Sequence, residues 1–390
     1  MTTRVLFVDD EPRILDGLRR SLRAYRHRWE MAFATSGAQA LEMLAATPHD
    51  IVLSDMRMPG MDGAELLTRI SQNHPEVARV VLSGHTEPAA AIRVAIAGHR
   101  FLNKPADVEQ VAGVITELTA RPSRTAEVGD EGQRVRRAAG AVRSLPTPPE
   151  HLEQVRKLLG RPDGDLASAA YAVAHNVGLA AKLFQLAASP FFSSRTRVTS
   201  LGNAVAAVGS PTIRSLADTG ELLWPGPTPR LAETVRQAVA TADLVALIAS
   251  PGNRPYAHAA ALLQDVGRFA RQPAGDPDVS TRAVGVELLR LWGLPTPVVA
   301  AVAQRDREHT PDASGLGVAA AVRAAYLLVQ QTDARDPDDD AHDAELASLL
   351  AHPQLANAPT DWLRAADDAA ARAEGWTAGR ESRSGRERRS

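Results

Sequence analysis

The chain has 390 residues, of which 44% are hydrophobic and 23% charged, with a formal net charge of -2. That length accommodates two or three domains, and the near-neutral balance gives no general attraction to nucleic acid or anionic membrane. With no cysteine in the sequence, disulfides, thiolate zinc sites and cysteine nucleophiles are excluded. No apolar run approaches the roughly 20 residues needed to cross a bilayer. The opening MTTRVLFVDDEP lacks the basic and long apolar segments of a secretory signal. A cytoplasmic protein without membrane contact is the expectation.

In chain order, short apolar runs predict strands at Val5–Val8, Met31–Ala34, Ile51–Ser54, Val80–Ser83 and Phe101–Asn103. Amphipathic stretches between them predict helices at Pro12–Tyr25, Ala38–Ala46, Gly63–Asn73, Pro88–Ala97 and Asp107–Leu118. Five strands alternating with five helices predict an α/β, doubly wound parallel sheet over residues 1–120. Residues 121–137 lack apolar periodicity at first and read as a linker, turning helical near Gln133. From 138 to 335 the pattern is alanine- and leucine-rich and all-α. Helices are predicted at Leu166–His175, Leu179–Ala187, Leu201–Val208, Leu231–Ile248, His258–Arg271, Ser280–Leu291 and Val318–Gln331, with prolines such as Pro211, Pro255 and Pro297 marking the breaks. A helical extension covers 336–374, with helices near Ala344–Leu350 and Thr360–Glu374. Residues 375–390 are polar and mixed in charge, the composition of a disordered tail that carries several arginines.

The predicted strands end on polar residues: Asp9 and Asp10 after the first, Asp55 after the third, Ser83 at the fourth, Lys104 and Pro105 after the fifth. In a parallel doubly wound sheet these ends share one edge. Three carboxylates in one place repel one another and call for a cation. A hard, oxygen-ligated ion such as Mg2+ suits them. Asp55 could then act as a nucleophile toward phosphorus, with the cation and Lys104 neutralising the charge. An acidic pair or a lone Lys-Pro is by itself usually a solvated loop or turn; four such features at four strand ends are hard to assign to chance.

The segments VLFVDDEP, DIVLSDMRMPGMDG, RVVLSGHTE and RFLNKP resemble the receiver domain of two-component response regulators, over residues 3–120. The resemblance implies a flavodoxin-like fold, Asp55 as phosphoacceptor, and Mg2+ held directly by Asp10, with Asp9 in an outer role and Asp55 and the Arg57 main-chain carbonyl as further ligands. It implies Lys104 and Ser83 as contacts to the phosphoryl group, Ser83 and Phe101 as switch positions, and a cis bond before Pro105. A sensor histidine kinase is the implied partner, and the face built from the fourth helix, fifth strand and fifth helix is a candidate homodimer surface.

The segments AHAAALLQDVGRFARQ at Ala257 and LLRLWGLPTPVVAAVAQ at Leu288 resemble the HDOD domain, a relative of HD-type metal phosphohydrolases, over residues 138–335. An HD site needs a His-Asp doublet and further histidines to hold a metal that activates water. Here the doublet position reads Gln264-Asp265, and Arg305 and Asp306 stand where active enzymes often carry histidines. His151, His175, His258 and His309 show no ligand spacing and read as surface or packing residues, and Asp265 as a helix-turn residue. The expectation is an output domain without catalytic residues or cofactor, acting on a downstream protein that the sequence does not name. The alternative is a cyclic-di-GMP phosphodiesterase of the related HD-GYP kind; the missing ligands and missing Gly-Tyr-Pro segment weigh against it. No helix-turn-helix pattern with a basic face is present, so direct DNA binding is not expected.

Overall fold

The computed structural model describes all residues except 1, 85–97, 120–129, 143–144, 148, 161–165, 190–191, 193–197, 199, 219–222, 225–228, 270–278, 306, 308–315, 333–339, 352–361 and 378–390. Strands β1 (Thr3–Val8), β2 (Trp29–Ala34), β3 (Ile51–Asp55), β4 (Ala78–Ser83) and β5 (Arg100–Asn103) form one parallel sheet in the order β2-β1-β3-β4-β5. Every residue of β3 and β4 is buried. That fits near-continuous apolar runs covered on both faces. The predicted Pro88–Ala97 helix lies outside the described residues.

Local chemistry sets the geometry at the carboxyl edge of the sheet. The helix Gly63–Asn73 is capped by Asp62, whose side chain accepts the Glu65 N–H at 2.8 Å. Its Leu66, Leu67 and Ile70 are fully buried, each contributing about 1.5–3 kcal/mol relative to exposure. A Cβ at Gly63 would lie 2.0 Å from the Asp55 carbonyl oxygen. Glycine there lets the helix start directly against the end of β3.

Among the described residues, the elements beyond the sheet are helices and one two-residue pair, β6 (Leu145–Pro146) with β7 (Leu223–Trp224), which pair in parallel. Three helices escape the sequence reading: Pro149–Leu159, Ser210–Asp218 and Thr296–Gln304. Each carries its proline in the first turn, where the missing N–H costs nothing and the fixed φ suits a helix. Prolines read as breaks are therefore starts; Pro255 plays the same part in Arg254–Leu263. The stretch read as linker already carries a helix from Asp130 to Gly140, which packs on Thr281–Trp292. The expected single helix over 258–271 is two, Arg254–Leu263 and Val266–Phe269, divided at Gln264-Asp265.

The long helix Pro229–Ile248 packs against Arg254–Leu263, Val318–Thr332 and Trp362–Thr377. Ala366, Ala369 and Ala373 are fully buried there, so the 362–377 helix belongs to the core of this helical body and is not a separate appendage. Arg323 holds the helix Asp340–Leu350 through a buried, two-pronged pair with Glu345 at 2.8–3.2 Å.

Candidate functional site: an acidic pocket and the seam beside it

The β1, β3 and β5 ends bring Asp9, Asp10, Asp55 and Lys104 together. Asp9, Asp10 and Asp55 each offer an oxygen, and the three oxygens lie within 4.8 Å of one another. Asp9 and Asp55 are buried. Lys104 Nζ lies 2.7 Å from Asp9 Oδ2 and 2.8 Å from Asp55 Oδ1. Burial would lower its pKa, but hydrogen bonds and attraction to Asp55 and Asp9 outweigh it and hold it above the ordinary lysine value. The ammonium is thus charged at neutral pH. Asp9 Oδ1 accepts the Glu11 N–H at 3.0 Å, and Asp55 Oδ2 accepts the Arg57 N–H at 3.3 Å. Ser83 is buried at the end of β4, its carbonyl accepting the Lys104 N–H at 3.0 Å. The Lys104–Pro105 bond is cis, and Phe101 is completely buried. An all-oxygen set of three carboxylates fits a hard divalent cation.

The β5 edge is covered by the helical body, a seam the sequence reading did not locate. Ser189 Oγ donates to the Phe101 carbonyl at 2.5 Å, and Gln185 Nε2 to the Gly98 carbonyl at 2.9 Å. In the other direction, Arg100 donates to the Leu291 carbonyl at 2.9 Å and the Arg290 carbonyl at 3.2 Å, while also meeting Glu117 at 3.2 Å. It thereby caps the C-terminus of Thr281–Trp292, where unpaired carbonyls favour a cation. Gly293, at φ +82°, turns the chain away there, and a Cβ would strike the Arg100 guanidinium at 1.6 Å. Arg79 crosses at the edge of the seam to the Gly140 carbonyl at 2.7 Å.

Lys182 lies in this seam, on the helix Val177–Ala187, all eleven residues of which are buried. Its Nζ donates to Gln185 Oε1 at 3.1 Å and lies 5.2 Å from the centre of the Trp292 ring. Burial first, and Arg79 second, pull its pKa from 10.5 to about 7. Burial, with Arg79, Lys182 and Arg100, pushes His99 well below 6.5. The only signal for this seam in the sequence is a lysine and a glutamine inside VGLAAKLFQLA, a helix apolar all round.

These shifts make stability depend on pH in a definite direction. Between about 7 and 10.5 the unfolded chain takes up a proton on Lys182 that the folded chain refuses. Stability therefore rises with pH across that window, by a few kcal/mol, and the penalty is constant below it. Protonation of His99 weakens the fold further as pH falls below 6.5. Lys182→Met is expected to flatten the rise, measured as the difference in urea stability between variant and parent at pH 7 and pH 10. Parallel curves would refute a buried, depressed lysine.

In the helical body the structure places Gln264 and Asp265 at the junction of two helices, both buried. Asp265 Oδ1 accepts from Arg305 at 2.7 Å, with both side chains buried, and lies 3.3 Å from Arg268 Nε. Asp265 is thus one half of an ion pair, beyond the helix-turn role expected of it. His175 is buried with Nδ1 2.7 Å from the Tyr171 carbonyl. Burial lowers the pKa of His258. The His151 side chain, Asp306 and His309 lie outside the described residues. Among the described residues, the acidic trio of Asp9, Asp10 and Asp55 is the cluster with metal-ligand geometry. No helix among them is long and apolar enough to cross a membrane.

The DNA-binding transcriptional regulator NtrC of Escherichia coli K12 is 38% identical over 81 residues, which is 20% of this chain and 17% of that protein. The uncharacterized transcriptional regulatory protein YesN of Bacillus subtilis is 33% identical over 128 residues, 31% of this chain and 33% of that one. The chain thus spans a third or less of these relatives. A solved signal receiver domain of an HD domain-containing protein from Pseudomonas fluorescens Pf-5 is 30% identical, covering 30% of this chain and 94% of that one at a TM-score of 0.29. Residues 5–116 match the family of the response regulator receiver domain, and residues 145–274 match that of the HDOD domain. The chain therefore carries a response regulator receiver domain followed by an HDOD domain.

Proposed function

We propose that the protein is a two-component response regulator in which Asp55 accepts a phosphoryl group from a sensor histidine kinase, and that this event changes how the HDOD domain sits on the receiver. In the proposed step an Asp55 carboxylate oxygen attacks the phosphorus of a phosphohistidine. An O–P bond forms, the P–N bond breaks, and the imidazole leaves with the donor. Asp9, Asp10, Asp55 and the Arg57 carbonyl would hold Mg2+. When bound, that ion screens the incoming phosphoryl oxygens from the acidic pocket. Lys104, already between Asp9 and Asp55, is placed to follow the phosphoryl group, with the Ser83 hydroxyl as a second contact.

The observation that carries the coupling is the bond from Ser189 of the HDOD domain to the carbonyl of Phe101. Phe101 lies three residues before Lys104, on the strand whose end closes the pocket. A shift of Ser83 and Lys104 toward a phosphoryl group pulls on β5, and the HDOD helices are bonded to that strand. A local charge event then biases a two-state contact. We read the HDOD domain as an interaction module for a downstream protein and not as an enzyme. Its Asp265 is occupied by Arg305, and the doublet's first position is Gln264. The phosphodiesterase alternative requires turnover with a transition metal, which an assay on cyclic dinucleotides decides.

The reading is tested by hydrogen exchange on the full chain, with and without magnesium and a phosphate mimic. Faster exchange in residues 98–103 and 177–189 is expected in the parent. Asp55→Asn should give no response. Equal exchange in all states would overturn the coupling, whatever the phosphorylation result.

A further inference from the structure

The side of the Val177–Ala187 helix that meets β5 carries a buried lysine. Lys182, Gln185 and Ser189, the last just past the helix end, recur at i, i+3 and i+7, the spacing of one helix face. Two of the three bind the receiver directly: Gln185 Nε2 donates to the Gly98 carbonyl and Ser189 Oγ to the Phe101 carbonyl. The third is tied into the same contact, since Lys182 Nζ donates to Gln185 Oε1 at 3.1 Å. Nζ also faces the Trp292 ring at 5.2 Å. A charged ammonium presents three donors, and one oxygen accepts here.

His99, beside Gly98, is placed in the same way. Its Nδ1 accepts the Arg79 backbone N–H at 3.2 Å, and its Nε2 lies 2.9 Å from Arg79 Nη2. Both ring nitrogens thus face donors of one residue. A neutral imidazole keeps one nitrogen able to accept; a protonated imidazole keeps none. The surrounding charges add to the effect. Arg79, from β4, acts on both Lys182 and His99, and Arg100 acts on His99. Glu117 meets Arg100, and Glu287 meets Arg290. Among the described residues no carboxylate meets Lys182 or His99. A proton on either group therefore costs desolvation and like-charge repulsion while the seam is closed, and neither once water enters it.

The geometry points to a proton-sensitive latch: the HDOD helices dock on β5 with Lys182 and His99 uncharged, and a proton taken up by either favours release of the seam. The latch needs no phosphoryl group on Asp55, so it fails or holds separately from the proposed signalling step. Its direction follows from linkage. Between about 7 and 10.5 the closed seam refuses a proton that an exposed Lys182 accepts, so falling pH favours opening across that window. Below 6.5 His99 adds a second step of the same sign.

Because the chain has no cysteine, a single introduced thiol reports on the opening of its own site. Ser189→Cys is buried against Phe101 and reacts with a thiol reagent when the seam opens. Ala260→Cys, buried in Arg254–Leu263, reports on unfolding of the helical body. Rates are measured on the full chain without magnesium or phosphodonor, at reagent levels where they scale with reagent, and divided by that of a cysteine peptide at the same pH. The corrected Ser189→Cys rate is expected to exceed that of Ala260→Cys. It should rise roughly tenfold as pH falls from about 9 to about 8, as one proton requires, level off near 7 and rise again below 6.5. Adding Lys182→Met should remove the first rise and leave the second; adding His99→Gln should remove the second alone. A corrected rate that is flat from pH 9 to pH 7, a first rise that survives Lys182→Met, or equal rates at the two thiols at every pH overturns the latch. Should the Lys182→Met chain fail to fold, the profile of Ser189→Cys against that of Ala260→Cys decides by itself.

Discussion

Asp55→Asn is expected to accept no phosphoryl group from a small phosphodonor, where the parent gains one per chain in the presence of magnesium. The substitution keeps the shape of the side chain and removes the nucleophilic carboxylate, and an amide oxygen does not form the acyl phosphate. The site gives no substitute. Asp9 is buried with one oxygen accepting the Glu11 N–H at 3.0 Å and the other held by Lys104 at 2.7 Å. Lys104 keeps that partner in the variant, so the pocket loses one of two ion pairs and stays closed. Intact-mass measurement before and after treatment reads the result directly. A full gain in the variant would place the phosphoacceptor elsewhere and remove the basis of the proposed signalling step.

The second large effect is on stability. Asp265→Ala removes the carboxylate to which the Arg305 guanidinium, whose side chain is only 7% exposed, donates at 2.7 Å. Breaking a buried pair from one side costs about 3–5 kcal/mol, because the remaining charge stays desolvated. Replacing both partners is different. The attraction in a buried pair does little more than offset its desolvation, so Asp265→Leu with Arg305→Met is expected to restore most of the loss. Urea unfolding of the parent, the single variant and the double variant measures this. A single variant within about 0.5 kcal/mol of the parent, the range of ordinary surface changes, would mean that the pair is solvated.

Both expectations concern carboxylates that the sequence singled out, yet their surroundings were legible to different degrees. The pocket at the sheet edge could be read in advance. An apolar run closing on Asp9, Asp55, Ser83 or Lys104 is a local pattern, and the parallel fold sends every such end to one side. The helix starts at Pro211 and Pro297 are ambiguous in sequence, because proline breaks a chain in a loop and begins a helix in a first turn. The degenerate doublet Gln264-Asp265 was visible as a departure from the HD pattern, but the residue that fills the gap was not.

The receiver sheet, the clustering of three aspartates with Lys104 and the helical character of the HDOD region are all legible from the order of residues alone. These rest on hydrophobic period and on residues at the ends of elements, which are short-range properties. It takes the folded chain to reveal that Arg305 pairs with Asp265, that Arg100 caps a helix 190 residues further on, and that Lys182 is buried in a seam against β5. Those partners are far apart along the chain, and no periodic pattern specifies which charge meets which carbonyl. Close packing, within the helical body for Arg305 and between the two domains for Arg100 and Lys182, selects them, since a buried polar group persists only where the fold supplies a partner.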